Sequence, residues 1–331
     1  MMRTGIRRAI RLVLPLVVIG AGLLAVPAEG SVAAPEFRYE VTRNAGPYRE
    51  IPGVRQTFHA EAGAASYLYT KNLSVANVTP LASGDNVGNT IAVYCHNADG
   101  TPFAGERGAY WAANLVPPGE TQLTPTLRWL FVAPAGGDYT CVAAVTSYST
   151  IIVDGRRVEM RIPAGAELIR SEYPNTRRWT LPAESERIVN RGATATTLGF
   201  TFVPATDATK IAITQDAALT TCKAGSSICP GGSPDYDGTS VRTWVEAQPQ
   251  TAAGVACGQL VRSPAADRFI STDKHHRTAT NTLYLTKDQL AGCARIRVSL
   301  TIHNKDGNPV LIHAGHSSDL ARTHGVGFEY S

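Results

Sequence analysis

Six of the eight histidines fall late in the chain, at His275, His276, His303, His313, His316 and His324. Imidazole both titrates near neutral pH and ligates transition metals, so such a concentration would serve acid-base chemistry or a metal centre. The spacing disfavours a metal. No His-x-His or His-x-x-x-His pair lies on one predicted strand face, and His313-Ala314-Gly315-His316 sits at a strand end where Gly disrupts the geometry. Solvated surface imidazoles are the plainer reading, and neither metal nor cofactor is expected. A loop-assembled acid-base site would draw on Asp273, His275 or His276.

Other short patterns carry little chemistry. Ser271-Thr272-Asp273-Lys274 matches Ser-x-x-Lys, but it lacks a helical pattern and a companion Lys-Thr-Gly, so it reads as a loop. Gly-x-Ser-x-Gly, His-Glu-x-x-His, a phosphate-cradling Gly loop and Cys-x-x-Cys are all missing. Asp235-Tyr236-Asp237-Gly238-Thr239 offers two carboxylates at i and i+2, too few for an EF-hand, and reads as an exposed polar turn. Trp129, Trp179, Trp244, Tyr110 and Tyr236 could form a sugar-stacking platform, although core packing is the ordinary fate of aromatics. Trp244 shares a strand face with Arg242, opposite Val241 and Val245. It and Tyr236 are the candidate ligand contacts.

Position in the cell is better specified. A basic segment to Arg11, an apolar run Leu12 to Val26 and small residues around Ser31-Val32-Ala33 read as a secretory signal peptide over 1–34. The run would span only about 22 Å as a helix, against a hydrocarbon core of about 30 Å. No later stretch is apolar enough to cross a membrane as a helix, so free secretion is expected, with no transmembrane segment in the mature chain. Removing 1–34 takes the formal charge from +4 to +1, which argues against nucleic-acid binding. Arg-, Ala- and Gly-rich usage suggests a bacterial source.

Six cysteines, Cys95, Cys141, Cys222, Cys229, Cys257 and Cys293, suit three disulfides in an oxidising compartment. The expected pairs are Cys95 with Cys141, alone in the first half, Cys222 with Cys229 across a short loop, and Cys257 with Cys293 as the remainder.

The elements that must position these groups are strands. Short runs of alternating apolar and polar residues, bounded by Gly, Pro, Asn and Asp, predict an all-β chain. Eight strands lie between Phe37 and Ile162 and eight between Thr197 and Tyr330, around a polar, Pro-punctuated stretch containing Arg177-Arg178. The expected organisation is two disulfide-bonded antiparallel β-sandwich domains, 35–172 and 173–331. Thr286 to Gln289 predicts a capped single turn that stops at Gly292. His96 to Pro102 and His303 to Pro309 share the pattern His-Asn-x-Asp-Gly-x-Pro, which predicts hairpin turns. In the second, Asn304 would pair with Asn308 and Ile302 with Val310, leaving His303 and His313 about 13 Å apart.

Gly137-Asp138-Tyr139-Thr140-Cys141, with Tyr two before Cys and Trp111 between the cysteines, resembles the tyrosine corner and core Trp of immunoglobulin-like domains. The likeness covers Cys95 to Cys141 and departs from the family at Ala135, where Asp is usual. It implies a Cys95–Cys141 bond joining two sheets at the core. The combined expectation is a secreted, non-enzymatic protein acting at or outside the cell envelope by binding a protein or glycan; a secreted hydrolase is the alternative.

Overall fold

Period-2 alternation becomes strand nearly everywhere it occurs. In Val241 to Ala247 the odd residues Val241, Thr243, Val245 and Ala247 are all fully buried, while Arg242 faces out and Trp244 is half-buried. The structure, a computed structural model, describes residues 33–97, 100, 108–115, 121–171, 177–180, 186–205, 209–290, 292–313 and 322–330, with the side chains of 177–180, 198 and 330 excluded. The expected signal peptide as far as Val32, His316 and the side chain of Trp179 therefore lie outside the described residues.

The first eleven strands are β1 (Phe37–Glu40), β2 (Arg49–Ala60), β3 (Ala65–Lys71), β4 (Val75–Asn77), β5 (Val87–Asn97), β6 (Ala109–Leu115), β7 (Gln122–Leu123), β8 (Arg128–Val132), β9 (Gly137–Tyr148), β10 (Glu159–Ile162) and β11 (Glu167–Ser171). They form antiparallel sheets ordered β2-β9-β5-β6, β1-β10-β4-β7 and β11-β3-β8 around one core that includes Leu68, Ile91, Phe131, Met160 and Leu168. The remainder are β12 (Arg177–Thr180), β13 (Arg187–Val189), β14 (Thr194–Phe202), β15 (Lys210–Thr221), β16 (Gly238–Gln250), β17 (Val261–Arg262), β18 (Ala266–Ser271), β19 (His276–Thr286), β20 (Arg295–Gly307), β21 (Val310–Ile312) and β22 (His324–Tyr330). One of their sheets runs β12-β22-β15-β21-β13, with β19 on the other edge of β15; the second runs β14-β20-β16-β17, with β18 also on β16. Ile211 and Leu283 from the former pack with Val245 and Val298 from the latter, so these two sheets enclose their own core. A 3₁₀ turn, Lys287–Leu290, forms as the capping residues predict: the Thr286 amide donates to Gln289 Oε1 at 2.9 Å, and Gly292 takes φ 73°.

All three disulfides join the expected cysteines. The first is placed differently from the immunoglobulin-like expectation. Cys95 and Cys141 face each other as register partners on adjacent strands β5 and β9, so the bond lies within one sheet and does not tie two together. The tyrosine-corner bond itself forms, with Tyr139 donating to the Ala135 carbonyl at 2.7 Å.

The predicted Asn304–Asn308 hairpin is corrected. β20 pairs with β14 and β16, whereas β21 pairs with β13 and β15, so the turn carries the chain from one sheet to the opposite one. Ile302 and Val310 share a core, but as members of facing sheets. The cause is tertiary: β20 continues past Asn304 to pair Asp306 with Ser240 and Gly307 with Thr239, which uses the edge a hairpin would need. In the earlier copy of the pattern the flanking strands do pair, Val93 with Ala109.

Among the described strands no sheet mixes β1–β11 with β12–β22. The halves nevertheless pack together. Tyr67 and Leu130 meet Val326 and Phe328, Ala112 meets Ala218, Asn86 Nδ2 donates to the Asp273 carbonyl at 2.6 Å, and the His276 amide donates to Asn114 Oδ1 at 3.2 Å.

Candidate functional site

Two places among the described residues bring chemically active side chains together, and both draw on β19. Successive side chains on a strand point to opposite faces. Ala279, Asn281, Leu283 and Leu285 of β19 are accordingly buried, whereas Thr278, Thr280 and Thr282 are half-buried and Tyr284 is exposed on the other face.

The first is a histidine cluster that linear spacing did not foresee. Thr220 of β15 stands opposite His276 of β19, and β21 delivers His313 to the same point. Thr220 Oγ1 lies 2.6 Å from His276 Nδ1 and 2.6 Å from His313 Nε2, while His313 Nδ1 lies 3.3 Å from Glu186 Oε1. His275 packs against His276 with ring centroids 4.0 Å apart and the rings tilted by 45°. A carboxylate at His313 Nδ1 favours a proton there, which leaves Nε2 to accept from the Thr220 hydroxyl and the Thr220 oxygen to accept from His276 Nδ1–H. Burial keeps these rings neutral. Desolvation, with Lys223 nearby, lowers His275 to about 4; desolvation and the His275 charge lower His313 to about 4; and desolvation with both neighbouring imidazoles holds His276 well below the usual histidine range.

The order carboxylate, imidazole, hydroxyl is that of an activated nucleophile. Its setting here is wrong for attack. Thr220 is 3% exposed, its oxygen is held by a second imidazole, and it lines neither cavity along β19. Asp273, the other candidate for acid-base work, is exposed. The cluster clamps β15, β19 and β21 together. His303 lies elsewhere, its Nδ1 at 2.9 Å from Thr194 Oγ1.

The second place is a cleft between the halves. A cavity of about 230 Å³ is walled on one side by Trp111, Gln122, Thr124 and Thr126 and on the other by Arg268, Arg277, Thr278 and Thr280. β6 is an edge strand, so Trp111 packs partly on the first core and turns its remaining surface to the cleft. Arg268 is exposed; Thr278 and Thr280 line the cavity, but the Thr278 hydroxyl oxygen is itself buried and the Thr280 hydroxyl donates to Asp216 Oδ1 at 2.5 Å. An aromatic ring beside guanidinium donors can recognise a sugar by stacking and hydrogen bonding.

The aromatics singled out from sequence separate into different environments. Trp129 is 2% exposed and packs edge-on to Phe131, and Tyr110 is buried with the Arg322 guanidinium over its ring at 4.4 Å. Trp244 is half-buried, and its indole N–H donates to Glu246 Oε1 at 2.7 Å. Tyr236 precedes β16 and accepts from Arg191 at 2.7 Å. Different neighbours hold these two side chains, and Trp244 stands six residues, about 20 Å by strand rise, beyond Gly238 at the start of β16. The Asp235 loop is a polar turn in which the Ser233 hydroxyl lies 2.9 Å from Asp235 Oδ2.

No protein-family profile matches the sequence, and no curated protein does. Solved structures give loose overall matches. The chain is similar to a structure of the infectious bursal disease virus Gx strain at 12% identity, over 92% of this chain and 79% of that one, with a TM-score of 0.26. It is similar to the CBM22-1–CBM22-2 tandem domain of Paenibacillus barcinonensis Xyn10C at 8% identity, over 82% of each chain, with a TM-score of 0.23. The stem and receptor-binding domain of the spike protein P1 of bacteriophage PM2 matches at 8% identity, over 87% of this chain and all of that one, also with a TM-score of 0.23. Similarities this loose carry no functional argument.

Proposed function

We propose that this is a secreted, non-enzymatic binding protein of two β-sandwich domains, 35–172 and 173–331, which contacts a glycan at or outside the cell envelope through the cleft between them. The observation that carries it is the cavity in which Trp111 faces Arg268 and Arg277. Three disulfides fit the oxidising compartment that secretion implies. Trp244 and Tyr236 enter as accessory contacts on a separate surface. A hydrolase is the poorer reading, because the hydroxyl best placed for activation is buried between imidazoles.

The test is binding of the protein lacking 1–34 to whole cells, insoluble cell-wall polymer and a glycan panel. One glycan class is expected to bind, and Arg268→Ala, a change at an exposed side chain, is expected to weaken it at least tenfold while leaving the thermal midpoint unchanged. Binding to none of these materials, or binding indifferent to Arg268→Ala, would overturn the reading.

A further inference from the structure

The histidine cluster stands where the two walls of the cleft are joined. His276 immediately precedes Arg277 of the β19 wall, and Asn114 lies three residues beyond Trp111 on β6. A circuit of amides holds the halves together there. Asn114 Oδ1 accepts from the His276 backbone N–H at 3.2 Å, Asn114 Nδ2 donates to Asn86 Oδ1 at 2.9 Å, and Asn86 Nδ2 donates to the Asp273 carbonyl at 2.6 Å. The first half thus grips the backbone that carries the His275 and His276 rings. Thr220 with His276 is the last register pair of the β15–β19 ladder, and among the described strands β19 pairs with β15 alone. No second strand secures this end of β19.

Protonation strikes the cluster at a bond it depends on. His313 Nε2 accepts from the Thr220 hydroxyl, so a proton there removes the acceptor and sets two N–H groups, His276 Nδ1 and His313 Nε2, against one oxygen. The rings are also too close to charge together, with centroids 4.0 Å apart for His275 and His276 and 6.2 Å for His276 and His313. Among the described residues the charged groups around them are Lys223 after β15, Glu186 before β13, Asp273, Lys274 and Arg277 flanking the pair, and Arg322, which covers Tyr110 of β6. Glu186, 3.3 Å from His313, offsets one positive charge of three, while Lys223 opposes those on His275 and His276. β21 is buried throughout and flanked by β15 and β13, so outward movement of 273–276 is the least costly way to hydrate two of the three rings.

We propose that the cluster is an acid-sensitive latch: in mild acid the 273–276 segment swings outward to solvate its two imidazolium rings, the Asn86–Asn114 circuit lets it go, and the walls of the cleft part at that end. The ion pair of Arg128 with Asp216, four residues along β15 from Thr220, holds the other end. Opening does not depend on what the cleft binds. A ring that protonates near pH 6.5 when solvated and near pH 4 when enclosed, as His275 does, favours opening by about thirtyfold at pH 5.

Hydrogen exchange at pH 7 and pH 5, read by mass spectrometry and corrected for intrinsic amide rates, follows the segment; acrylamide quenching of Trp111, taken as the difference from Trp111→Phe, follows the wall. Amides in 271–278 are expected to lose protection at least tenfold at pH 5, reversibly, with Trp111 quenched more readily and β9 and β16 unchanged. His275→Asn with His276→Asn keeps a side chain able to donate to Thr220 but unable to take a proton, and should leave 271–278 protected at pH 5. Lys223→Gln, a change at an exposed side chain, should move opening to higher pH, and it decides the matter if the double variant does not fold. A segment that stays protected, quenching of Trp111 that does not rise, protection lost equally in β9 and β16, or an opening unshifted by either variant would overturn the latch.

Discussion

Arg128 of β8 and Asp216 of β15 form an ion pair between the two halves of the chain, Nη1 to Oδ1 at 3.3 Å, with the carboxylate side chain 4% and the guanidinium side chain 21% exposed. Asp216 also lies 3.6 Å from His324 Nε2 and accepts from Thr280, so a buried charge is shared among strands that sequence distance separates. Removing one member of such a pair leaves the other desolvated without its counter-charge.

Arg128→Ala is therefore expected to destabilise the protein by about 2–4 kcal/mol. Arg128→Ala with Asp216→Asn should recover part of that loss, because the uncompensated charge is gone. Urea unfolding of the two variants measures the difference; equal losses would contradict the account.

The Cys95–Cys141 bond closes a loop of 46 residues in sequence separation. In the chain-entropy model a loop near that length contributes about 4 kcal/mol by restricting the unfolded chain. The Cys95→Ala, Cys141→Ala double variant should lose stability of that order in chemical unfolding. Because both residues are partners in one sheet, the sheet itself should persist, with an unchanged far-ultraviolet circular dichroism spectrum.

Gly307 ends β20 at φ 92°, and a Cβ there would lie 2.1 Å from the Gly238 carbonyl oxygen. Gly307→Ala is expected to cost about 1–3 kcal/mol from backbone conformation, with the steric clash adding to it. A thermal midpoint equal to that of the unsubstituted protein would show that the crossover turn is not held this way.

The depressed histidines make stability fall in acid. In the unfolded chain His275 and His313 take up protons around pH 6.5, whereas in the folded protein they do so only near pH 4. Between those values the unfolded state binds more protons, so the contribution of this cluster is fully present above about pH 6.5 and is lost progressively down to about pH 4. Thermal midpoints measured across that window should drop with pH, and His275→Asn should flatten the slope. A slope unaffected by that change would exclude His275 as a source.

Period-2 patterning revealed most of the strands, but β7, β11, β13 and β18 lie outside the predicted runs and β12 forms within the polar stretch between the two predicted sets. Burial of alternate residues is a local property of a pleated chain with one wet face, which is why Ala109–Leu115 emerges with its bounds unchanged and Val241 to Ala247 lies wholly inside β16. Cysteine positions likewise gave the pairing, because the first two are isolated and the next two are close. Partner choice was not local. His96 to Pro102 and His303 to Pro309 carry the same turn residues, yet one lies between paired strands and the other passes between facing sheets, because only the second is followed into the turn by β16.

The same limit governed the candidate site. The outward residues of β19 were visible as alternation, but the opposing wall, Trp111, Gln122, Thr124 and Thr126, comes from the other half of the chain, and no spacing rule relates the two. Linear spacing presents His276 and His313 as separate surface groups, since their convergence on Thr220 requires β19 and β21 to flank β15. Sequence alone determined the strand class, the alternating faces and the disulfide pairing, each set by neighbours along the chain or by elimination. Tertiary structure decided which faces meet, because apolar burial rewards any close packing of complementary faces and only the assembled sheets select one.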